Sequence, residues 1–244
     1  MDNIVFIIAH RYYRHYPSYV EYYIKNIQEF YPNALVIVVD NNSKHVEDVF
    51  EPLKEKNNVI LLNNNIESKF EIGGYTVAME YMVNNNILDS YEYFIFTQDN
   101  FILKNKFDFI TLKNSNTTAC SLVSLHNDWA YFDVCQPYLE RFNMVERLSE
   151  ARLCWCSSFI LEKNNVKKML DFFRKITIID RVGSMAGERF LGKILWELNG
   201  GNNFDIDGDV NNLDYYCHTV DAYSNINNFF CKISQQKNER TLDI

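Results

Sequence analysis

Positive charge is in short supply in this chain: 24 Lys and Arg stand against 32 Asp and Glu over 244 residues, a formal charge of −8. A nonspecific grip on DNA or RNA is built from clustered cations facing phosphates, so nucleic acid is not expected as a partner. A phosphorylated small molecule remains compatible with an acidic protein, provided that a metal ion or a few local cations offset its charge. Long apolar runs are missing as well. The opening MDNIVFIIAH has no basic leader, and its apolar run ends after roughly 6 residues, against the ~20 needed to span a bilayer. No segment reads as a signal or an anchor, so a cytoplasmic protein without a membrane span is expected.

The six cysteines (Cys120, Cys135, Cys154, Cys156, Cys217 and Cys231) include no CxxC pair and sit in apolar or aromatic stretches. Buried, reduced thiols are expected. No GxGxxG follows the first apolar run and no GxxxxGK[ST] occurs, which disfavours a dinucleotide fold and a P-loop.

What is present is 47% hydrophobic and 15% aromatic residues, enough to bury a core. Apolar runs Ile4–Ala9 and Ala34–Val39 flank a helix-like stretch Tyr19–Tyr31, a β–α–β unit. They are rich in Val and Ile without polar alternation, as parallel strands covered on both faces are. A helix is expected over Val46–Lys56, a strand at Val59–Leu62, a helix over Tyr75–Val83 after Gly73 and Gly74, and a central strand at Tyr93–Phe96. Further on come strands at Ala119–Leu125 and Cys156–Leu161 and helices at Asn165–Lys175 and Gly187–Leu198. The fold expected is a single α/β domain with a mostly parallel sheet flanked by helices.

In open α/β sheets ligands collect beyond the carboxyl ends of the strands. The polar residues there are His10-Arg11 after the first run, Asp40-Asn41-Asn42-Ser43 after the second, and Gln98-Asp99-Asn100 after the fourth. Asp40 and Asp99 also read as ordinary turn aspartates, and Gly73-Gly74 as relief of a backbone constraint.

These segments, in this order, resemble family 2 and related GT-A glycosyltransferases. The matching residues are Ile7-Ile8-Ala9-His10-Arg11, Val38-Val39-Asp40-Asn41-Asn42-Ser43, Ile72-Gly73-Gly74-Tyr75-Thr76 and Phe96-Thr97-Gln98-Asp99-Asn100. The last departs from the D-x-D signature, with Thr97 in place of the first aspartate. Gly187-Glu188-Arg189 similarly resembles the family's E-D pair, with Arg for Asp.

The resemblance implies a Rossmann-like GT-A fold in which residues 1–110 bind a nucleoside-diphosphate sugar and 111–244 form the acceptor half of the same domain. It implies transfer of a hexose, with a UDP-sugar as donor, to a hydroxyl of a glycan or other acceptor. Ala9, His10, Arg11, Asp40, Asn42, Gly73, Gly74, Gln98 and Asp99 would contact the donor. Asp99 and His218 would hold Mn2+ or Mg2+, and Glu188 would be the catalytic base. Asp128 and Trp129 are the candidate acceptor contacts; a calcium loop is set aside for Asp205, Asp207 and Asp209, which read as a turn. The partial motifs also fit a GT-A-like protein that binds nucleotide sugar or glycan without turnover.

Overall fold

The computed structural model describes residues 3–11, 18–125, 130–210, 216–217 and 229–233; Asp128, Trp129 and His218 lie outside them. The strands are β1 (Ile4–His10), β2 (Leu35–Asp40), β3 (Val59–Asn63), β4 (Tyr93–Gln98), β5 (Phe101–Leu103), β6 (Ala119–Ser121), β7 (Ser124–Leu125), β8 (Leu153–Cys154), β9 (Phe159–Glu162), β10 (Tyr216–Cys217) and β11 (Phe230–Ile233). The helices are α1 (Val20–Phe30), α2 (Glu47–Phe50), α3 (Phe70–Asn84), α4 (Ile110–Asn114), α5 (Phe132–Arg141), α6 (Lys163–Phe173) and α7 (Arg181–Leu198).

Six strands form one sheet in the order β3-β2-β1-β4-β9-β6, in which β1 to β4 run parallel and β9 runs antiparallel to both β4 and β6. The sheet therefore takes strands from both halves of the chain. Every residue of β1 is buried. Its Val5, Ile7 and Ala9 face one apolar layer with α3, α6 and α7, and its Ile4, Phe6 and Ile8 face the other with α1. This two-sided burial is why β1 and β2 read as unbroken apolar runs. A three-stranded sheet, β10-β11-β5, and the β7-β8 pair complete the described strands.

Several boundaries differ from the sequence reading. The helix expected over Val46–Lys56 is four residues of α2 followed by a 3-10 turn at Glu51–Leu53, which contains Pro52. Ala119–Leu125 splits into β6 and β7, which join different sheets. The strand expected from Cys156 begins at Phe159, because Trp155–Ser157 form a 3-10 turn. The helix expected from Tyr75 already begins at Phe70, so Gly73 and Gly74 lie inside α3 and not before it. Asp180 caps α7 by accepting the Gly183 N–H at 2.7 Å, so this helix starts six residues earlier than expected. Cys120, Cys135, Cys154, Cys156 and Cys231 are buried and free, as expected. Among the described residues no helix is long and apolar enough to cross a membrane.

Candidate functional site

Strand order reverses at β1, with β2 and β3 on one side and β4 on the other. The crevice beyond such a switch point is where open α/β sheets receive ligands. Register brings the relevant residues together there: His10 lies opposite Asp40, and Ala9 opposite Gln98.

His10 and Asp40 are both 1% exposed. Nδ1 of His10 lies 3.0 Å from Oδ1 of Asp40, and because a carboxylate only accepts, Nδ1–H is the donor. Ser43 closes the turn over the same carboxylate, with its N–H to Oδ2 at 2.7 Å and its hydroxyl to Oδ1 at 2.5 Å. Burial alone would raise the Asp40 pKa, but these bonds from His10 and Ser43 outweigh it and hold the carboxyl below its usual range. Both oxygens of Asp40 thus accept bonds from within the protein, and its carboxylate orients the His10 ring.

On its other edge, Nε2 of His10 lies 3.9 Å from Oδ2 of Asp99 and 3.5 Å from the Ser18 hydroxyl. The same Asp99 oxygen accepts the backbone N–H of Arg11 at 3.1 Å. With 27% of its side chain exposed, Asp99 is the carboxylate of this group that reaches the surface. Burial of its surroundings raises its pKa, against the pull of His10, the Arg11 N–H and Lys232.

Gln98 links this edge to the second half of the chain. Its Nε2 donates to Glu71 at 2.6 Å, and Glu71 also accepts from the Ser184 hydroxyl of α7 at 3.0 Å. Its Oε1 accepts from the ammonium of Lys232, which also lies 3.1 Å from Sγ of Cys156. The backbone N–H of Cys156 in turn donates to Glu188 at 3.0 Å. Glu188 is the eighth residue of α7, so the first-turn dipole preference that could have explained an acid there does not apply. Burial, then the nearby charge of Glu71, pushes its pKa up to about 7; Lys232, Arg189 and the Cys156 N–H pull the other way. Such a carboxyl can exchange a proton near neutrality.

Gly73 and Gly74 stand where a side chain would meet close neighbours. A Cβ on Gly73 would stand 2.0 Å from the Ser68 carbonyl oxygen, and one on Gly74 would stand 3.4 Å from Cβ of Ala9. Both are buried: Gly73 lets α3 pack against the Asn64–Ser68 segment after β3, and Gly74 against the ends of β1 and β2. Neither uses a positive φ. Asn42, by contrast, is exposed at φ 57°. The late aspartates are structural: Asp205 pairs with Arg152, and Asp207 accepts the N–H groups of Phe229 and Phe230 at 2.7 and 2.9 Å.

Of the two residues expected to hold a divalent cation, Asp99 is described and keeps 27% of its side chain exposed. Thr97, at the place of the missing aspartate, is fully buried in β4. Among the described residues no group of three His, Cys, Asp or Glu side chains could hold a metal ion.

No protein-family profile matches the chain, and no curated protein matches it. Solved structures do. One is core-mannan synthase A (CmsA/Ktr4) from Aspergillus fumigatus in an Mn/GDP form, with TM-score 0.42 and 10% identity over 84% of this chain and 71% of that one. Another is the mannosyltransferase Ktr4p from S. cerevisiae in complex with GDP, with TM-score 0.41 and 11% identity over 79% and 64%. A third is the mannosyltransferase PcManGT from Pyrobaculum calidifontis in complex with GDP-Man and Mn2+, with TM-score 0.43 and 14% identity over 68% and 46%.

Three members of the polar chain had escaped sequence reading: Glu71, Cys156 and Lys232. Lys232 carried a faint signal, a single cation inside the apolar run Phe229–Ile233. Glu71 and Cys156 carried none.

Proposed function

We propose that this protein is a glycosyltransferase that moves a hexose from a nucleoside-diphosphate sugar to a hydroxyl of a glycan or other acceptor. The observation that carries this reading is the hydrogen-bonded chain from Gln98, beside Asp99 at the switch point, through Lys232 and Cys156 to Glu188. It sets a donor-side carboxylate and a carboxyl titrating at about 7 in one polar cluster.

The donor lies with its diphosphate toward Asp99 and Gln98 and its nucleoside toward the Ala9–Arg11 turn and Asn42. Glu188 takes the proton of the acceptor hydroxyl as that oxygen bonds to the anomeric carbon. The bond from that carbon to the diphosphate oxygen breaks, and its electron pair leaves on the diphosphate. Asp99 is the residue that would hold Mn2+ or Mg2+; a bound divalent cation supplies charge neutralisation for the leaving group. The acceptor roles of Asp128 and Trp129 rest on an aromatic side chain beside a polar stretch of the sequence, and the metal role of His218 on the resemblance.

The test is a thermal-shift screen of UDP-, GDP- and dTDP-sugars with and without Mn2+, since a ligand that binds only the folded state raises its melting temperature. A shift with one nucleotide series, followed by sugar release or transfer from it, is the expected result. Binding without turnover under any condition would leave a nucleotide-sugar binding protein. No shift with any sugar nucleotide would overturn the donor site.

A further inference from the structure

We propose that Glu71 is a positioning residue for this reaction: its carboxylate closes the hydrogen-bonded chain between Gln98 and Glu188 into a ring and so holds α7, with its base, in register with Gln98 and Asp99. This rests on the glycosyltransferase reading and adds to it a residue that the resemblance does not assign.

The two oxygens of Glu71 serve different halves of the molecule. Oε1 accepts from Nε2 of Gln98, at the end of β4, at 2.6 Å, and Oε2 accepts from the Ser184 hydroxyl on α7 at 3.0 Å. Ser184 lies four residues before Glu188, and residues at that spacing share one face of a helix. A second route between the same two ends runs through Lys232 and Cys156. The ammonium meets Oε1 of Gln98 and, at 3.1 Å, the Cys156 sulfur, and the Cys156 N–H donates to Glu188 at 3.0 Å. Gln98 and α7 are therefore joined twice. A single link would leave α7 free to pivot about it, whereas two links fix its rotation against β4.

Neighbouring contacts dock α3 on the same helix. The Lys69 N–H donates to the Ile178 carbonyl at 2.6 Å, the Ile178 N–H donates to the Ser68 hydroxyl at 3.1 Å, and a Cβ on Gly187 would lie 4.0 Å from Ile72. Glu71 carries this seam on to β4 through Gln98.

A purely structural tie here needs no charge, because an amide could accept from Gln98 and donate to the Ser184 hydroxyl. A carboxylate does more: its charge also bears on Glu188 and favours the protonated form of that carboxyl. The other groups around Glu188 are the Lys232 ammonium from β11, the Arg189 guanidinium beside it on α7, and the thiols of Cys154 in β8 and Cys156 in the turn that follows. The two cations favour the charged form. Removing the Glu71 charge therefore moves the titration of Glu188 to lower pH.

The experiment is steady-state hydrolysis of GDP-mannose, UDP-glucose and dTDP-glucose by the full chain in Mn2+, followed against pH for the wild type, Glu71→Ala, Glu71→Gln and Ser184→Ala, with a urea melt of each. Glu71→Ala is expected to lower kcat by about tenfold to a hundredfold with the donor KM changed far less, the scale of a base displaced by about 1 Å. Ser184→Ala, which frees only the α7 end, should lower kcat in the same direction and decides the matter if Glu71→Ala does not fold. Glu71→Gln should recover most of the rate lost in Glu71→Ala, with the limb that rises with pH shifted below that of the wild type. Wild-type kcat in folded Glu71→Ala or in Ser184→Ala overturns the proposal, and so does a Glu71→Gln profile that superimposes on the wild type's. In each of these cases turnover by the wild type leaves the glycosyltransferase reading standing. A wild type that turns over none of the three donors takes down both.

Discussion

The carboxylate of Glu188 accepts the backbone N–H of Cys156 at 3.0 Å, and Cys156 makes this bond from a left-handed backbone, φ 57° and ψ 22°. Ser157 follows at φ 49°. Two consecutive non-glycine residues in this region cost about 1–2 kcal/mol each, and such strain persists only where the surroundings enforce it. Here they do: β8 and β9 hold the turn from either side, and α7 lies directly on β8. The turn aims one N–H at Glu188 and one sulfur at Lys232.

Glu188→Gln should leave nucleotide binding intact and lower transfer by about two to four orders of magnitude, the range for loss of a general base. In the wild type the rate should climb with pH through about 7, as Glu188 loses its proton. The sign for stability is opposite. A folded pKa raised from 4.5 to about 7 means that the folded state holds this proton more tightly, so stability falls as pH rises between those values. The glutamine variant should lack both slopes, as read in rate profiles and urea melts. Full transfer activity in it would remove Glu188 from the mechanism.

Asp99→Ala should abolish the metal-dependent part of donor binding, measured as the difference between titrations in Mn2+ and in EDTA. A difference as large as in the wild type would show that the ion is held elsewhere.

Asp40→Asn should destabilise the protein by about 1–3 kcal/mol at neutral pH, because the carboxamide sets an NH2 donor against the Ser43 N–H, or against the His10 N–H and the Ser43 hydroxyl. The folded pKa of Asp40 is depressed below its usual 3.8, so its contribution is present above that value and is lost as pH falls through the folded pKa. Urea denaturation from pH 7 down to 3 should show the wild type and variant converging toward the acid end. Parallel curves would mean that the pairing contributes nothing.

Gly192→Ala should cost about 1–3 kcal/mol or more, since its Cβ would fall 2.0 Å from the Arg152 carbonyl oxygen and 2.9 Å from the Cys154 nitrogen. These are backbone atoms of β8 and of the residue before it, which leave little room to yield. Gly192 lies one helical turn beyond Glu188, so transfer should drop as well. An unchanged urea midpoint would show that α7 can slide on β8.

The sequence by itself determined the parallel half of the fold and one edge of the candidate site. Ile4–Ala9, Ala34–Val39 and Tyr93–Phe96 are apolar on both faces, and a strand of that kind has to lie inside a covered sheet whose polar neighbours are displaced to its carboxyl end. His10, Asp40, Gln98 and Asp99 were therefore legible as a group. Their division of labour was not, because burial decides it: Asp40 lies at 1% exposure and holds His10, while Asp99 keeps 27% of its side chain open. Relief of a backbone constraint was readable for Gly73 and Gly74, but which neighbours press on them was not. Only the tertiary structure decided what surrounds Glu188, which the sequence offered alone. Glu71, Cys156 and Lys232 come from α3, the turn before β9 and β11, and no periodicity links residues 71, 156 and 232 to residue 188 on α7. What joins them is long-range pairing, β11 on β5 and α7 on β8, set by packing between segments remote in the chain.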